Sequence, residues 1–189
     1  MEKFVKLSKL TLSLVVFFAI AASPAFAQYT PNTKLKKAIN ESNQYDAKAA
    51  VLSGAQPNTR DQHGVPFLCL AAAKGDSGVV YILLDGGANP DMAAGGGKTA
   101  LMIATENGNT DIVKVLLHFK ADVNELDRNG ETALIKAARL GERDIVDLLI
   151  DAKADLNHED YTGKSALGYA MDNRKMSVAN DLKKAGATE

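Results

Sequence analysis

The 189-residue sequence has one cysteine, no tryptophan, three histidines and only 6% aromatic residues. The lone cysteine, Cys69, excludes an intramolecular disulfide, so the folded part must be held together by packing. Three separated histidines offer little for a metal centre, because zinc needs three or four converging ligands. The sequence also lacks a G-x-S-x-G motif and any convergent nucleophile and acid–base set. We therefore expect no enzyme, no catalytic residue, no metal and no cofactor.

A strong charge of either sign is also absent. The chain carries 22 basic and 23 acidic side chains, and leaving out Lys3, Lys6, Lys9 and Glu2 gives 19 and 22, a net charge of −3 for positions 28–189. Nucleic-acid binding rewards clustered lysine and arginine, so this balance argues against a nucleic-acid partner.

Long apolar runs are limited to the segment 1–27. Three lysines precede the apolar run Leu10–Ala22, and the small-residue motif Ala25-Phe26-Ala27 follows it. This order is typical of a secretory signal peptide, and we expect cleavage before Gln28. An uncleaved anchor is the alternative, but the run is shorter than the about 20 residues that a membrane span needs. We predict a signal peptide at 1–27, a folded domain at 28–189, and no stable membrane anchor after cleavage.

The folded part has a strict 33-residue period. Gly64, Gly97, Gly130 and Gly163 follow one another at this constant spacing, and several alanines share it. A fixed period of this length indicates stacked copies of one supersecondary unit. The predicted repeats are 31–63, 64–96, 97–129, 130–162 and 163–189.

Each copy predicts two helices and a turn. Thr99, Thr132 and Ser165 are suited to cap a first helix, and Gly108 and Gly141 to end one. A second helix follows, with Ile-Val and Leu-Leu or Leu-Ile pairs forming one apolar stripe. Polar, turn-rich segments then lead into the next copy and predict hairpin loops.

The fourth copy resembles the ankyrin repeat. It begins with Gly-Glu-Thr-Ala-Leu-Ile-Lys-Ala at 130–137 and continues with a helix that carries Ile-Val and Leu-Ile pairs and with a Lys-Ala-Asp-Leu-Asn loop. The resemblance covers about residues 31–189. It implies an all-α ankyrin-repeat solenoid of about five helix-turn-helix repeats with hairpin loops. The family histidine, which ties neighbouring repeats, is replaced in four copies, which puts the stiffness between repeats in doubt. The replacing residues are Cys69, Met102, Ile135 and Gly168.

Both ends of the array depart from the pattern. Asp46 stands where the other copies have valine or isoleucine. In the last copy, Asp181 and Lys183 stand where the interior copies have apolar residues. Terminal repeats of a solenoid need a polar outer face. We therefore expect the first and last copies to be caps and three copies to be interior.

Three local patterns have competing interpretations. Gly95-Gly96-Gly97-Lys98-Thr99 resembles a phosphate loop, but Met92 stands where that motif needs its first glycine, so we reject nucleotide binding. His158-Glu159-Asp160 could hold a metal, but a solvated loop is the simpler interpretation. Cys69 is interpreted as a buried, inert thiol, with redox sensing or haem ligation as the alternative.

The resemblance also implies a function. Ankyrin repeats bind partner proteins on a concave face built from the hairpin tips and the exposed side of the first helices. Matching positions here give these candidate protein-binding residues: Lys98, Glu106, Asn107, Arg128, Asn129, Glu131, Arg139, Tyr161 and Lys164. Arginine and tyrosine make good contact anchors, so Arg128, Arg139 and Tyr161 lead this prediction.

The leader and the repeats together are similar to small exported ankyrin proteins of Gram-negative bacteria. This implies a monomeric protein-interaction module in the periplasm, or a secreted one. Support of a periplasmic haem enzyme such as a catalase against oxidants is one implied role. There are two alternatives. The protein is an immunity protein that neutralises an effector delivered into the periplasm, or it is a haem or metal carrier.

Overall fold

A computed structural model describes residues 30–188, and the predicted signal peptide lies outside them. The described residues form ten α-helices arranged as five pairs. The first helices of the pairs are α1 (Pro31–Asn40), α3 (Phe67–Lys74), α5 (Ala100–Glu106), α7 (Ala133–Leu140) and α9 (Ala166–Asp172). The second helices are α2 (Gln44–Leu52), α4 (Ser77–Asp85), α6 (Thr110–His118), α8 (Arg143–Asp151) and α10 (Met176–Ala185).

First helices pack on neighbouring first helices, and second helices on neighbouring second helices. The described residues contain no strand, and the hairpins contribute only the isolated bridges Arg60–Pro66 and Glu159–Ser165. The all-α solenoid of stacked helix pairs expected from the sequence is therefore confirmed. No helix in residues 30–188 is long and apolar enough to span a bilayer.

The predicted helix caps are confirmed. The hydroxyl groups of Thr99, Thr132 and Ser165 accept hydrogen bonds from backbone N–H groups three residues later. Gly141 ends α7 with φ of 85°, a left-handed conformation that costs glycine little. Helix α3 differs, because Pro66 stands at its N-cap and offers no side-chain acceptor.

The apolar stripe of the second helices forms the core. Ile112, Val113 and Leu116 of α6 are at most 1% exposed, and their counterparts on α8 are fully buried. Burying one such side chain contributes about 1.5–3 kcal/mol. The stripe is covered only because each pair stacks on the next, which explains why the pattern repeats.

Side chains in the loops tie every repeat to the next one. Asn124 Oδ1 accepts a hydrogen bond from the Asp155 backbone N–H at 2.8 Å. The same link recurs in the other loops, with Asn58, Asp91 or Asn157 as acceptor. These links supply the ties between repeats that the missing family histidine put in doubt.

We expect Asn124→Ala to lower the free energy of unfolding by about 0.5–1.5 kcal/mol, because it removes a hydrogen bond between two repeats. Urea unfolding of both proteins measures the difference. Asn129→Ala is the matched control, since the Asn129 side chain is exposed and has no partner among residues 30–188. Equal losses in the two variants would contradict the role of the link.

One buried hydroxyl lacks a partner. Thr105 Oγ1, inside α5, makes no hydrogen bond within residues 30–188, and the equivalent positions of α3 and α7 are Ala72 and Ala138. We expect Thr105→Ala to leave stability unchanged or to raise it by up to about 1 kcal/mol, because it removes an unpaired polar group and improves helix propensity. Thermal unfolding checks this, and a loss above about 1 kcal/mol would contradict it.

The ends of the array carry the predicted charges. Asp46 is exposed on α2. Asp181 is not free in solvent, because its Oδ2 lies 2.6 Å from Arg143 Nε on the preceding repeat. The Asp181 carboxylate of the last repeat therefore stabilises the stack through an ion pair with the fourth repeat.

Candidate protein-binding face

The predicted binding residues lie on one surface, formed by the hairpin tips and by the exposed side of α5, α7 and α9. We call this surface the first-helix face. In each of the last three repeats it brings two positions close together, namely the residue after the tip glycine and the residue eight positions later. The pairs are Lys98 with Glu106, Glu131 with Arg139, and Lys164 with Asp172.

Each pair joins opposite charges. Lys98 Nζ lies 2.8 Å from Glu106 Oε2, and Lys164 Nζ lies 2.5 Å from Asp172 Oδ2. Arg139 holds Glu131 through both of its terminal nitrogens. In the fourth repeat the acidic residue comes first and the basic residue second, the reverse of the third and fifth repeats. Neighbouring repeats therefore also place opposite charges side by side. The face is therefore largely neutralised within the chain.

A buried lysine lies at the centre of this network. Lys136 on α7 is 1% exposed. Its Nζ donates to Asp127 Oδ2 at 2.8 Å and Glu131 Oε2 at 2.8 Å, and it lies 3.0 Å from Glu106 Oε1 of the preceding repeat. One ammonium group thus satisfies three carboxylates from two repeats. A buried charge persists only with such complete pairing.

The pKa values follow from this geometry. Burial disfavours the charged form of Lys136, but its hydrogen bonds to Asp127, Glu131 and Glu106 outweigh burial and raise the lysine pKa. Burial likewise disfavours the Asp127 carboxylate, but Lys136 and two backbone N–H groups hold its pKa below the usual value. Lys136 and Asp127 therefore both stay charged near neutral pH.

The next repeat uses the same positions with a different donor. Tyr169 replaces Lys136, and its hydroxyl donates to Asp160 Oδ2 at 2.7 Å. Burial opposes the charged Asp160, but the Thr162 and Tyr169 hydroxyls and two backbone N–H groups lower its pKa to about 2. The sequence interpretation of 158–160 as a solvated loop is wrong for Asp160, which is only 6% exposed.

The junction between the second and third repeats lacks both partners. Ala94 stands where Asp127 and Asp160 stand, and Ile103 where Lys136 and Tyr169 stand. The sequence prediction missed this network, although a signal existed. The residue six positions after the tip glycine is leucine or isoleucine in the second and third repeats and lysine or tyrosine in the fourth and fifth, although the repeat pattern around it is kept.

The burial of one candidate differs from expectation. Glu131 was expected on the exposed face, but it is 4% exposed because Lys136 and Arg139 both hold it. Its side chain joins its neighbours inside the chain and presents little surface to a partner.

Two tip residues remain available. Arg128 and Tyr161 occupy the same repeat position, and each backbone N–H donates to a carbonyl of the preceding tip, Gly96 and Asn129, at 2.9 and 3.1 Å. This link fixes their backbones. The Tyr161 side chain is 75% exposed, and Arg128 is exposed too. Neither side chain has a hydrogen bond or an ion pair within residues 30–188. Asn107 and Asn129 are exposed and unpaired in the same way.

The glycine-rich tip at Gly95–Gly97 forms a short 3₁₀ turn that other tips hold in place. Arg60 donates to the Ala93 carbonyl at 2.8 Å. A Cβ on Gly96 would lie 3.3 Å from Arg128 Nε, so glycine allows that side chain to lie close. The segment is a hairpin of the repeat, in agreement with rejection of the phosphate-loop interpretation.

Cys69 and His158 are held by the chain itself. Cys69 is 1% exposed, its Sγ donates to the Met92 carbonyl at 3.3 Å, and burial raises its pKa to about 11. The burial of Cys69 expected from the sequence is therefore confirmed. One His158 ring nitrogen, Nε2, lies 2.8 Å from the Gly130 carbonyl, a contact between the two ends of the fourth repeat. Residues 30–188 contain no group of three His, Cys, Asp or Glu side chains placed to hold a metal ion.

Comparison with known proteins supports this geometry. A search of curated proteins finds no match to the chain. The family model for ankyrin repeats (3 copies) matches residues 35–127 and 119–188, which is most of the described chain. Apart from the first turn of α1, the helix pairs, the tip glycines and the loop links lie within these matched ranges, and the chain belongs to the ankyrin-repeat family.

Proposed function

We propose that the chain binds another protein through its first-helix face, with Arg128 and Tyr161 as the principal contacts. One observation carries this proposal. The other charged candidates on the face are paired within the chain, whereas these two side chains are exposed and have no hydrogen bond or ion pair within residues 30–188. Their backbones are fixed by the tip links, so binding orders only the side chains. Asn107 and Asn129 extend the same surface.

The test is the double variant Arg128→Ala, Tyr161→Ala. We expect at least about a tenfold loss of affinity for the partner, because truncating an anchor residue costs more than about 1 kcal/mol. The partner is first captured from a periplasmic extract with the unaltered protein, and its affinity is then measured by calorimetry.

A matched control separates this face from the opposite one. Lys114→Ala with Asp151→Ala removes two exposed side chains of second helices and leaves the first-helix face intact. We expect the control to bind normally and both double variants to unfold like the parent protein. Normal binding by the Arg128 and Tyr161 variant would show that the face is wrongly assigned.

Export is part of the same proposal and rests on the leader alone. The lysines, the apolar run Leu10–Ala22 and the Ala25-Phe26-Ala27 motif support cleavage before Gln28. Mass spectrometry of protein recovered from the periplasm tests it. An intact leader on that protein would contradict it. Blocking cleavage with Ala27→Arg provides the comparison.

The partner proposed first is a periplasmic haem enzyme such as a catalase, and the second is an effector delivered into the periplasm. The captured protein distinguishes the two directly. Recovery of an endogenous haem enzyme supports the first. Capture only when the toxic effector is supplied, with loss of its toxicity, supports the immunity role.

A further inference from the structure

A second surface lies on the opposite side of the molecule, between the second helices α2 and α4. It is an open groove of about 520 Å³, lined mainly by apolar atoms. Its walls include Tyr45, Leu52, Tyr81 and Ile82. Tyr45 and Leu52 are 81% and 80% exposed, which is unusual for large apolar side chains.

The repeat period shows that these apolar residues are not part of the common frame. In the third and fourth repeats, the positions equivalent to Tyr45, Leu52 and Tyr81 hold charged or polar residues. These are Asp111, His118 and Lys114 on α6, and Asp144, Asp151 and Asp147 on α8. These three outer positions are therefore polar in the third and fourth repeats and apolar where they line the groove.

The groove is open because one large side chain is missing. Phe119, just after α6, packs edge-on against Tyr81 with ring centroids 5.4 Å apart and fills the space between α4 and α6. The equivalent residue one repeat earlier is Gly86. A Cβ there would lie 2.8 Å from Val51 Cγ1, so the close packing of the chain excludes a filling side chain.

Two unpaired charges lie on opposite walls of the groove. Lys48 is on α2 and Asp85 is at the end of α4, and both are exposed. Neither has a hydrogen bond or an ion pair within residues 30–188. A twofold axis that runs along the groove, between its two walls, would place Lys48 of one copy opposite Asp85 of the other, and the reverse, in two identical pairs.

We propose that this groove is a self-association surface, in which a second copy of the chain covers Tyr45, Leu52 and Tyr81. The self-complementary charges favour a second copy over an unrelated partner, because one chain supplies both members of each pair. The dimer leaves the first-helix face free, so it is independent of the function proposed above. It departs from the monomer expected from the sequence, and one measurement decides between them.

Sedimentation equilibrium of the purified exported protein tests the proposal between about 1 µM and 1 mM. We expect a reversible monomer–dimer equilibrium. The variant Tyr45→Ala, Leu52→Ala should raise its dissociation constant at least about tenfold. The control Leu126→Ala, Met176→Ala removes two exposed apolar side chains outside the groove and should leave it unchanged.

Charge reversal gives the sharper test. Lys48→Asp and Asp85→Lys should each weaken the dimer at least about threefold, because each places like charges opposite one another. The combined variant should recover the parental dissociation constant, since both pairs are restored with opposite polarity. Circular dichroism confirms that each variant is folded. A monomer at every concentration would overturn the proposal, as would a dimer insensitive to the groove variants.

Discussion

Replacing Lys136 with alanine is expected to lower the free energy of unfolding by about 3–5 kcal/mol, because it removes the cation that pairs with two buried carboxylates and one partly buried carboxylate. Asp127 and Glu131 are 3% and 4% exposed and would repel each other without it. Urea unfolding with far-UV circular dichroism measures the loss. The exposed Lys114, which pairs with Asp111 at 3.6 Å, gives the control, and Lys114→Ala should cost less than about 0.5 kcal/mol.

The junction between the second and third repeats supplies a second control for the same prediction. It carries Ile103 and Ala94 at the positions of Lys136 and Asp127, so the chain already contains an apolar version of this contact. Lys136→Ile alone should be strongly destabilising, and Asp127→Ala added to it should recover part of the loss. Strict additivity of the two changes would contradict direct coupling between the residues.

The fold could be predicted because it is specified locally and repeatedly. Caps such as Thr132, tip glycines such as Gly130 and the apolar stripe each recur with the period of the repeat. One copy therefore confirms the interpretation of another. The local chemistry of a cap or a stripe is visible within a few residues, which is the range that sequence reasoning covers well.

The network on the first-helix face could not be predicted in the same way. Lys136 reaches Glu106 of the preceding repeat, and the contact depends on how one repeat stacks on the next. Residues on this face also differ between copies, so periodicity gives no support there. Charges that suggested contact with a partner are in fact paired with one another, and Glu131 is the clearest example.

The same chemistry makes two hairpin tips of the first-helix face sensitive to pH. Asp127 and Asp160 hold equivalent positions in adjacent repeats, and each accepts backbone N–H groups of its own hairpin tip. Lys136 and Tyr169 donate to them from the following first helix. Protonating either carboxyl therefore weakens a tip and a helix contact together, next to the Arg128 and Tyr161 positions.

Stability should fall as the pH is lowered from about 5 towards 2. The folded chain lowers the pKa of Asp127 and brings that of Asp160 to about 2, whereas an unfolded aspartate titrates near 3.9. In this window the unfolded chain binds more protons, so acid favours it. Above pH 5 both carboxyls are ionised in both states, and their stabilisation is fully present.

Urea unfolding at pH 7, 5, 4 and 3 measures this effect, whose slope is at most about 1.4 kcal/mol per pH unit for each carboxyl. Asp160→Asn should be less stable than the parent at pH 7, because the amide is a weaker acceptor for Tyr169 and Thr162. The gap should shrink towards pH 3, where the parent carboxyl begins to lose its advantage. Asp151→Asn, on the exposed side of α8, corrects for removing one negative charge. A gap between the parent and Asp160→Asn that stays constant from pH 7 to pH 3 would show that the Asp160 carboxylate does not couple protonation to folding.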